Sequence, residues 1–169
     1  MSTAYSASLP HVNTTAESFV TAYYSSWDND RTTLKTLYMP TSRIVWNGNP
    51  IAGGDAMAQF IDKMPATKHD IQAFDCHPLP GAPQPTASSI MVTVSGTLLL
   101  YNAADGVPAQ ASTSRGPPGQ PRQRRDPKSQ NEDPDLLPRL FSHTFILVPQ
   151  QSPQGQIVYA IEGETFRYV

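Results

Sequence analysis

The spacing of apolar residues changes near Pro65, and this change limits the folds open to the chain. Before Pro65, apolar residues mostly recur every three or four positions, which indicates amphipathic helices. After Pro65 they mostly recur with a period of two, which indicates strands. Helices followed by strands, without strand–helix–strand alternation, are typical of an α+β domain. In such a domain the helices pack on one face of an antiparallel sheet.

Three helices are predicted in the N-terminal part. The first begins at Thr14, which forms a capping-box pattern with Glu17. A short second helix begins after Asp30 and ends before Pro40, and a third runs from near Asp55 to Pro65. Residues 1–13 are expected to be a flexible N-terminus, so a single domain is predicted at 14–169. The apolar stripes of the three helices comprise Ala16, Phe19, Val20, Tyr23, Trp27, Leu34, Leu37, Tyr38, Met57, Phe60, Ile61 and Met64.

The predicted strands carry apolar side chains on both faces. In one strand, Ile90, Val92 and Val94 alternate with residues that include Met91 and Leu99. A sheet with one face in water usually alternates apolar with polar residues. We therefore expect a partner subunit to cover the face that the helices leave free, although loops and the N-terminal segment could also cover it. The strands are predicted at Ile44–Asn47 and at about 67–77, 87–101, 140–149 and 156–168.

A Pro-rich, charged insertion at about 102–138 separates two of these strands and is too long for an ordinary hairpin loop. It contains a basic stretch without aromatic residues, so any RNA contact is expected to be made to phosphates. A solvated linker and a nuclear localisation patch are alternative interpretations. The basic residues are Arg115, Arg122, Arg124, Arg125 and Lys128.

The chain lacks the usual sequence signals of an enzyme. It has no P-loop, dinucleotide-binding or zinc-protease motif, so neither a cofactor nor a metal is expected. Asp28 and Asp75 could act as general bases in a core cavity, but we interpret them as structural, and we interpret His143 in the same way. The only cysteine is Cys76, and no stretch has the length of a membrane span. A non-enzymatic protein of the cytosol or nucleus is therefore predicted.

Several short motifs occur in a characteristic order. They are Tyr23-Tyr24, Trp46-Asn47-Gly48-Asn49, Asp75-Cys76 and Phe166-Arg167. As a set, they resemble the nuclear transport factor 2-like family, and most closely its small subunits of heterodimeric mRNA export receptors, of a fungal-like type with a long internal loop. The resemblance covers about 14–101 and 139–169.

The resemblance implies a cone-shaped fold in which three helices pack in a strongly bent antiparallel β-sheet. It also implies heterodimerisation with a large mRNA export factor, in which Arg167 pairs with an aspartate of that subunit. Further implied partners are the Phe-Gly nucleoporins, with RNA or ribonucleoprotein contacting the insertion. Shuttling between nucleus, nuclear pore and cytoplasm would follow, with mRNA and pre-ribosomal particles as cargo. The expected partner interface comprises Arg167, Phe166, Tyr101, Phe145 and Tyr159.

Two other functions occur on the same fold. The homodimeric import carriers bind Ran-GDP through acidic residues, but Asn47 and the segment Asn102–Gly106 depart from that acidic pattern. The small-molecule isomerases and dehydratases need a base and oxyanion donors inside the cone. No such set could be assembled from the sequence, and Phe19, Tyr23, Trp27 and Phe60 are expected to fill the cone.

Overall fold

The computed structural model describes the backbone of residues 3–80, 87–102, 107–108 and 137–169, and the side chains of 11–80, 87–101 and 137–169. The helices are α1 (Thr3–Asn29), α2 (Arg31–Lys35) and α3 (Gly53–Lys63). The strands are β1 (Tyr38–Trp46), β2 (Asn49–Ala52), β3 (Ala66–Leu79), β4 (Ser89–Asn102), β5 (Val107–Pro108), β6 (Arg139–Gln151) and β7 (Ile157–Tyr168). No helix in this part of the chain is both long enough and apolar enough to cross a membrane.

Within the described residues, the strands form one sheet in the order β2-β1-β7-β6-β4-β3, with β5 paired to the end of β4. The pairs are antiparallel except that β1 runs parallel to β7. The three helices and the bent sheet form the predicted α+β fold. The predicted sheet was wholly antiparallel, and the parallel β1–β7 pair differs from it.

Helix α1 begins eleven residues before the predicted start at Thr14. Val12 adds one more turn to the apolar stripe and is 3% exposed within the core, which accounts for the turn just before Thr14. The Thr14 capping pattern therefore lies inside a helix, where it does not mark an end.

Helix α2 begins after Asp30 as predicted, and the Asp30 side chain accepts a hydrogen bond from the Thr32 amide. It ends at Lys35, however, and Tyr38 already belongs to β1. The carbonyl of Leu37 accepts a hydrogen bond from the Ile161 amide at 2.8 Å, so pairing with β7 draws these residues into the sheet. Pro40 lies where the β1–β7 register is irregular and a missing donor is tolerated.

The core lies between the concave face of the sheet and the helices. Met57 and Ile61 of α3 are fully buried, and Phe60 and Met64 pack against the core at its margin. The Trp46 and Phe166 rings stack with centroids 4.1 Å apart, and Phe19 meets Phe145 edge to face at 5.0 Å. The aromatic side chains expected to fill the cone therefore do so.

Arg31 joins the helices to β3. Its guanidinium lies 5.2 Å from the Trp27 ring centroid and donates to the carbonyl of Met64 at 2.6 Å. It also donates to the carbonyls of Trp27, Ile61 and Pro65 and to the Thr67 hydroxyl. Because helix ends leave carbonyls without partners, one arginine here satisfies several acceptors where α3 enters β3.

Candidate protein interface

The convex face of the sheet is the surface that the helices leave uncovered. Strand parity decides which side chains reach it, because successive residues point to opposite faces. Phe166 is 1% exposed in the core, so its neighbour Arg167 lies on the convex face and is exposed. The backbone of Arg167 pairs with Ser142. Its side chain makes no hydrogen bond or ion pair with any described residue, so its charge is available to a partner.

Cross-strand rows show the composition of the convex face. One row joins Met91, Ile146 and Gly163, and the next joins Thr93, Thr144 and Thr165. A third row joins Ser95, Ser142 and Arg167, so the neighbours of the arginine in this row have small side chains. The face thus has apolar ends and a Ser/Thr belt between them, and it is less uniformly apolar than the sequence predicted.

The two apolar ends of the convex face are formed by different side chains. At one end, Val148 pairs with Ala160, next to Ile146 and to Val158, which is 47% exposed. At the other end lie Leu99 and Tyr101, which are partly exposed, and Leu140, which is 54% exposed. Large side chains of this kind, around small polar ones, suit a protein partner better than bulk water.

The predicted interface residues separate into two groups. Tyr101 and Arg167 have the parity of the convex face and are accessible there. Phe145 and Phe166 are 0% and 1% exposed in the core, so their assignment to the interface is corrected. Tyr159 is also corrected, because it packs against the core and its hydroxyl donates to the Ser88 carbonyl at 3.2 Å. The sequence pattern indicated two apolar faces, but it did not indicate whether the odd- or the even-numbered residues of each strand face the helices.

Inside the cone, a polar network joins five side chains. The His143 Nε2 lies 2.7 Å from Glu164 Oε1, and the Tyr24 hydroxyl lies 3.0 Å from His143 Nδ1. The Tyr23 hydroxyl donates to Glu164 Oε1 at 2.9 Å and lies 3.0 Å from the Tyr38 hydroxyl. Glu164 Oε2 has no hydrogen-bond partner among the described atoms.

This network is sealed by its own packing. Each of its five residues is 8% exposed or less, and the rings of Phe145 and Trp46 lie 4.0 and 5.8 Å from His143. Burial lowers the pKa of His143, and burial raises the pKa of Tyr23, Tyr24 and Tyr38. Sequence reasoning missed Glu164, although its even spacing from Phe166 in β7 was a signal that it points inward.

Asp28 is held by structural contacts. Its carboxylate accepts from the His69 amide at 2.9 Å and the Thr67 hydroxyl at 2.9 Å, and it lies 2.7 Å from His69 Nδ1. Burial acts to raise the pKa of Asp28, but the contacts with His69 and Thr67 outweigh it and leave that pKa below its ordinary value. A carboxylate stabilised in this way is a weak base.

Asp75 lies elsewhere, on the exposed side of β3. Its carboxylate accepts from the Cys76 amide at 2.8 Å and lies 3.0 Å from His77 Nε2. The structure therefore does not bring Asp28 and Asp75 together. No cluster of three or more metal-ligating side chains occurs among the residues that the structure describes.

The basic residues proposed for RNA contact (Arg115, Arg122, Arg124, Arg125 and Lys128) lie outside the described residues. Asn47, at the turn after β1, has a positive φ of 48°. Its side-chain oxygen accepts from the Tyr168 amide at 3.0 Å, and its own amide donates to the Phe166 carbonyl at 2.8 Å. This residue therefore joins the turn to the last strand.

Comparison with known proteins places this fold in a family. Residues 15–104 match the nuclear transport factor 2 (NTF2) domain. The NTF2-related export protein 1 of Bos taurus is 28% identical over 90% of this chain and 85% of its own length. The NTF2-related export protein 2 of Homo sapiens is 34% identical, and that match spans 49% of this chain and 58% of the human protein.

Two solved structures have the same fold at 20% sequence identity. Nuclear transport factor 2 of Cryptosporidium parvum superposes with a TM-score of 0.60 at 20% identity, covering 95% of this chain and 96% of its own. A structure of the Chaetomium thermophilum Mex67 NTF2-like domain complexed with Mtr2 gives 0.56 at 20% identity, with 94% and 98% covered. The sequence match to the NTF2 domain covers more than half of the chain, and we conclude that the chain belongs to the nuclear transport factor 2 domain family.

Proposed function

We propose that this chain is the non-catalytic small subunit of a heterodimeric mRNA export receptor. In this proposal, the convex face pairs with the matching domain of a large export factor. The heterodimer then carries mRNA, and pre-ribosomal particles with it, between nucleus, nuclear pore and cytoplasm. Phe-Gly nucleoporins are its proposed contacts at the pore, and the basic residues of the insertion are a proposed RNA contact.

The placement of Arg167 carries this proposal. The side chain lies in the Ser95–Ser142 row, where neighbours are short enough for a second sheet to approach the backbone closely. An unpaired charge at that position suits a partner with a carboxylate at the matching point. Apolar groups at both ends of the convex face would then be buried around the ion pair. The match to NTF2-related export proteins supports the same assignment.

The contacts of Asn47 weigh against a homodimeric import carrier for Ran-GDP. An amide stands where those carriers are expected to have an acid, and its side-chain oxygen is already engaged by the Tyr168 amide. A neutral group committed to the backbone contributes little to binding a basic surface. Calorimetric titration with Ran-GDP is expected to give no measurable heat of binding.

The buried network weighs against an isomerase or a dehydratase. Its Glu164, His143 and tyrosine hydroxyls are the residue types such an enzyme would use. They bond to one another in the core, however, and aromatic rings pack around them. A substrate would have to displace these rings before it reached the carboxylate. We therefore assign the network to the stability and shape of the cone.

The export proposal is tested by reversing the charge of Arg167. Arg167→Glu is compared with Lys63→Glu, because Lys63 is an exposed cation on α3, away from the convex face. A buried charge left without its partner costs about 3–5 kcal/mol. In co-purification with the matching domain of a large export factor, Arg167→Glu should therefore lose the partner while Lys63→Glu retains it. Equal retention by the two folded variants would remove Arg167 from the interface and defeat this proposal.

A further inference from the structure

A groove lies between α1 and the free edge of β3, apart from the convex face. Its volume is about 450 Å³, and its α1 wall is formed by Glu17, Val20, Thr21 and Tyr24. Val20 and Thr21 follow Glu17 by three and four positions and precede Tyr24 by four and three, so the four residues share one side of the helix. Phe74 of β3 lies in the opposite wall and is 41% exposed, which is unusual for an aromatic ring facing a helix.

The groove is open along a strand edge. In the described part of the chain, β3 is the last strand of the sheet, and no strand pairs with its outer side. A strand edge presents backbone donors and acceptors that can bind a further extended chain. The β3–β4 register shifts between Ile71 and Ala73, so a bulge at Gln72 lies in the groove itself.

One side of β3 is apolar and the other is acidic, and this difference indicates which residues a bound chain would need. Toward α1, the groove presents apolar surface from Val20, Ile71 and Phe74. On the other side of the strand, Asp70 and Asp75 are exposed. An added strand would place alternate side chains on these two sides. Its apolar residues would enter the groove, and the residues between them would lie beside the two aspartates.

We propose that the β3 edge binds an extended segment of a partner protein in which apolar and basic residues alternate. Glu17 on the groove wall adds a third acid on the side of α1. Lys68 stands at the start of β3, so the charge among Glu17, Lys68, Asp70 and Asp75 sums to −2 and favours a basic ligand. Asp70 and Asp75 pair with Thr97 and Thr93, so the charged side of β3 lies on the outermost strand of the convex face. This proposal does not depend on the export assignment.

The probe is a fluorescent peptide of about nine residues that alternates Lys with Val or Phe, which is long enough to follow the exposed half of β3. Two controls accompany it. One contains the same residues in an order without alternation, and the other carries Glu in place of Lys. Fluorescence anisotropy with the full chain should show the alternating Lys peptide binding about tenfold tighter than either control.

Variants of both sides test the geometry. Phe74→Ala should weaken the Lys peptide about tenfold, because the ring that receives its apolar side chains is removed. The double variant Asp70→Lys with Asp75→Lys should weaken the Lys peptide and strengthen the Glu peptide. Asp62→Lys is the matched control, since Asp62 is exposed on α3, where it pairs with Lys35. This variant should leave both affinities unchanged.

Hydrogen exchange locates the binding site. The amides of residues 71–74 should exchange more slowly with the Lys peptide bound, and those of α3 should not change. Equal affinity for alternating and reordered peptides would mean general charge attraction and would overturn the proposal. Binding that Phe74→Ala leaves unchanged would also overturn it. So would a chain that excludes the peptide because a second copy pairs with β3, as sedimentation would reveal.

Discussion

Replacing Arg31 is the most informative test of how the helices are attached to the sheet. Arg31→Met removes the guanidinium but keeps a flexible chain over the Trp27 ring. The variant removes the guanidinium donor from the carbonyls of Met64 and Pro65, whereas the Ile61 carbonyl keeps the hydrogen bond from the Met64 amide. These carbonyls lie where α3 ends and β3 begins, so the loss acts on the junction between two elements.

The magnitude follows from the number and exposure of these acceptors. A hydrogen bond from a charged donor contributes about 1.5–3 kcal/mol when its acceptor is buried. Arg31 is itself only partly buried, so water can replace the donor for some of the carbonyls. We therefore expect a total loss of about 2–4 kcal/mol, well below the sum over all of its contacts. That is a large part of the roughly 5–15 kcal/mol that stabilises a typical domain.

The assay is urea unfolding followed by tryptophan fluorescence. Trp27 and Trp46 are 2% and 6% exposed, so unfolding will change their emission strongly. Lys35→Met is the control, because it removes an exposed pair with Asp62 that should contribute about 0–1 kcal/mol. Arg31→Lys separates charge from shape, since lysine keeps the charge without the planar fork. A loss below about 1 kcal/mol for Arg31→Met, with an unchanged slope, would refute the assignment of Arg31 as the link.

Two further predictions concern Asp28 and Gly96. The folded pKa of Asp28 lies below its ordinary value of 3.8, so its stabilising contribution is present above that pH and is lost as pH falls through the folded pKa. Asp28→Asn should therefore cost about 1–3 kcal/mol at neutral pH and flatten the acid end of a stability–pH curve, whereas exposed Asp75→Asn should change little. If the stability of the two variants fell with the same slope at acid pH, the stabilising role of the Asp28 carboxylate would be contradicted. A Cβ added at Gly96 would lie 2.3 Å from the Asp70 carbonyl oxygen, so Gly96→Ala should raise the free energy of the folded state by about 1–3 kcal/mol, measured by thermal unfolding against Ser95→Ala. Equal melting temperatures for Gly96→Ala and Ser95→Ala would show that the β3 backbone moves away from the added Cβ without loss of stability.

Much of the fold followed from local patterns in the sequence. The period-two strands after Pro65 were placed to within a few residues, because β4, β6 and β7 each carry a long alternation of buried and less buried residues. The cap at Asp30 was also predicted correctly. The end of α2 was not, because a parallel partner 120 residues away determines that Tyr38 enters a strand, as the pairing of Ile44 with Glu164 shows. Local spacing carries no information about such a partner.

The candidate interface was predicted less completely than the fold. The sequence identified Arg167 and Tyr101 but could not tell which parity of β6 and β7 faces the helices. A bulge in β7 changes that parity: Leu147 pairs with Ile161 while Ile146 pairs with Gly163, so Glu162 is the extra residue. Apolar residues before and after this bulge therefore point to one face from both odd and even positions. The bulge thus obscures the inward side of β7, where Phe166 lies. Phe145 lies in β6, whose buried residues alternate regularly, but apolar neighbours such as Ile146 and Val148 gave no sign of which side faces the helices.

The position of β7 has a consequence for the order of folding. β7 lies between β1 and β6, so among the described strands β1 and β2 are joined to β6, β4 and β3 through it. During synthesis, the helices and β1–β2 emerge early but have no central strand to pair with until β7 has been made. Contacts separated by so many residues form slowly, because loop closure must precede them. The nascent chain therefore carries two unjoined parts of a sheet, and chaperones have their longest opportunity to bind before β7 emerges.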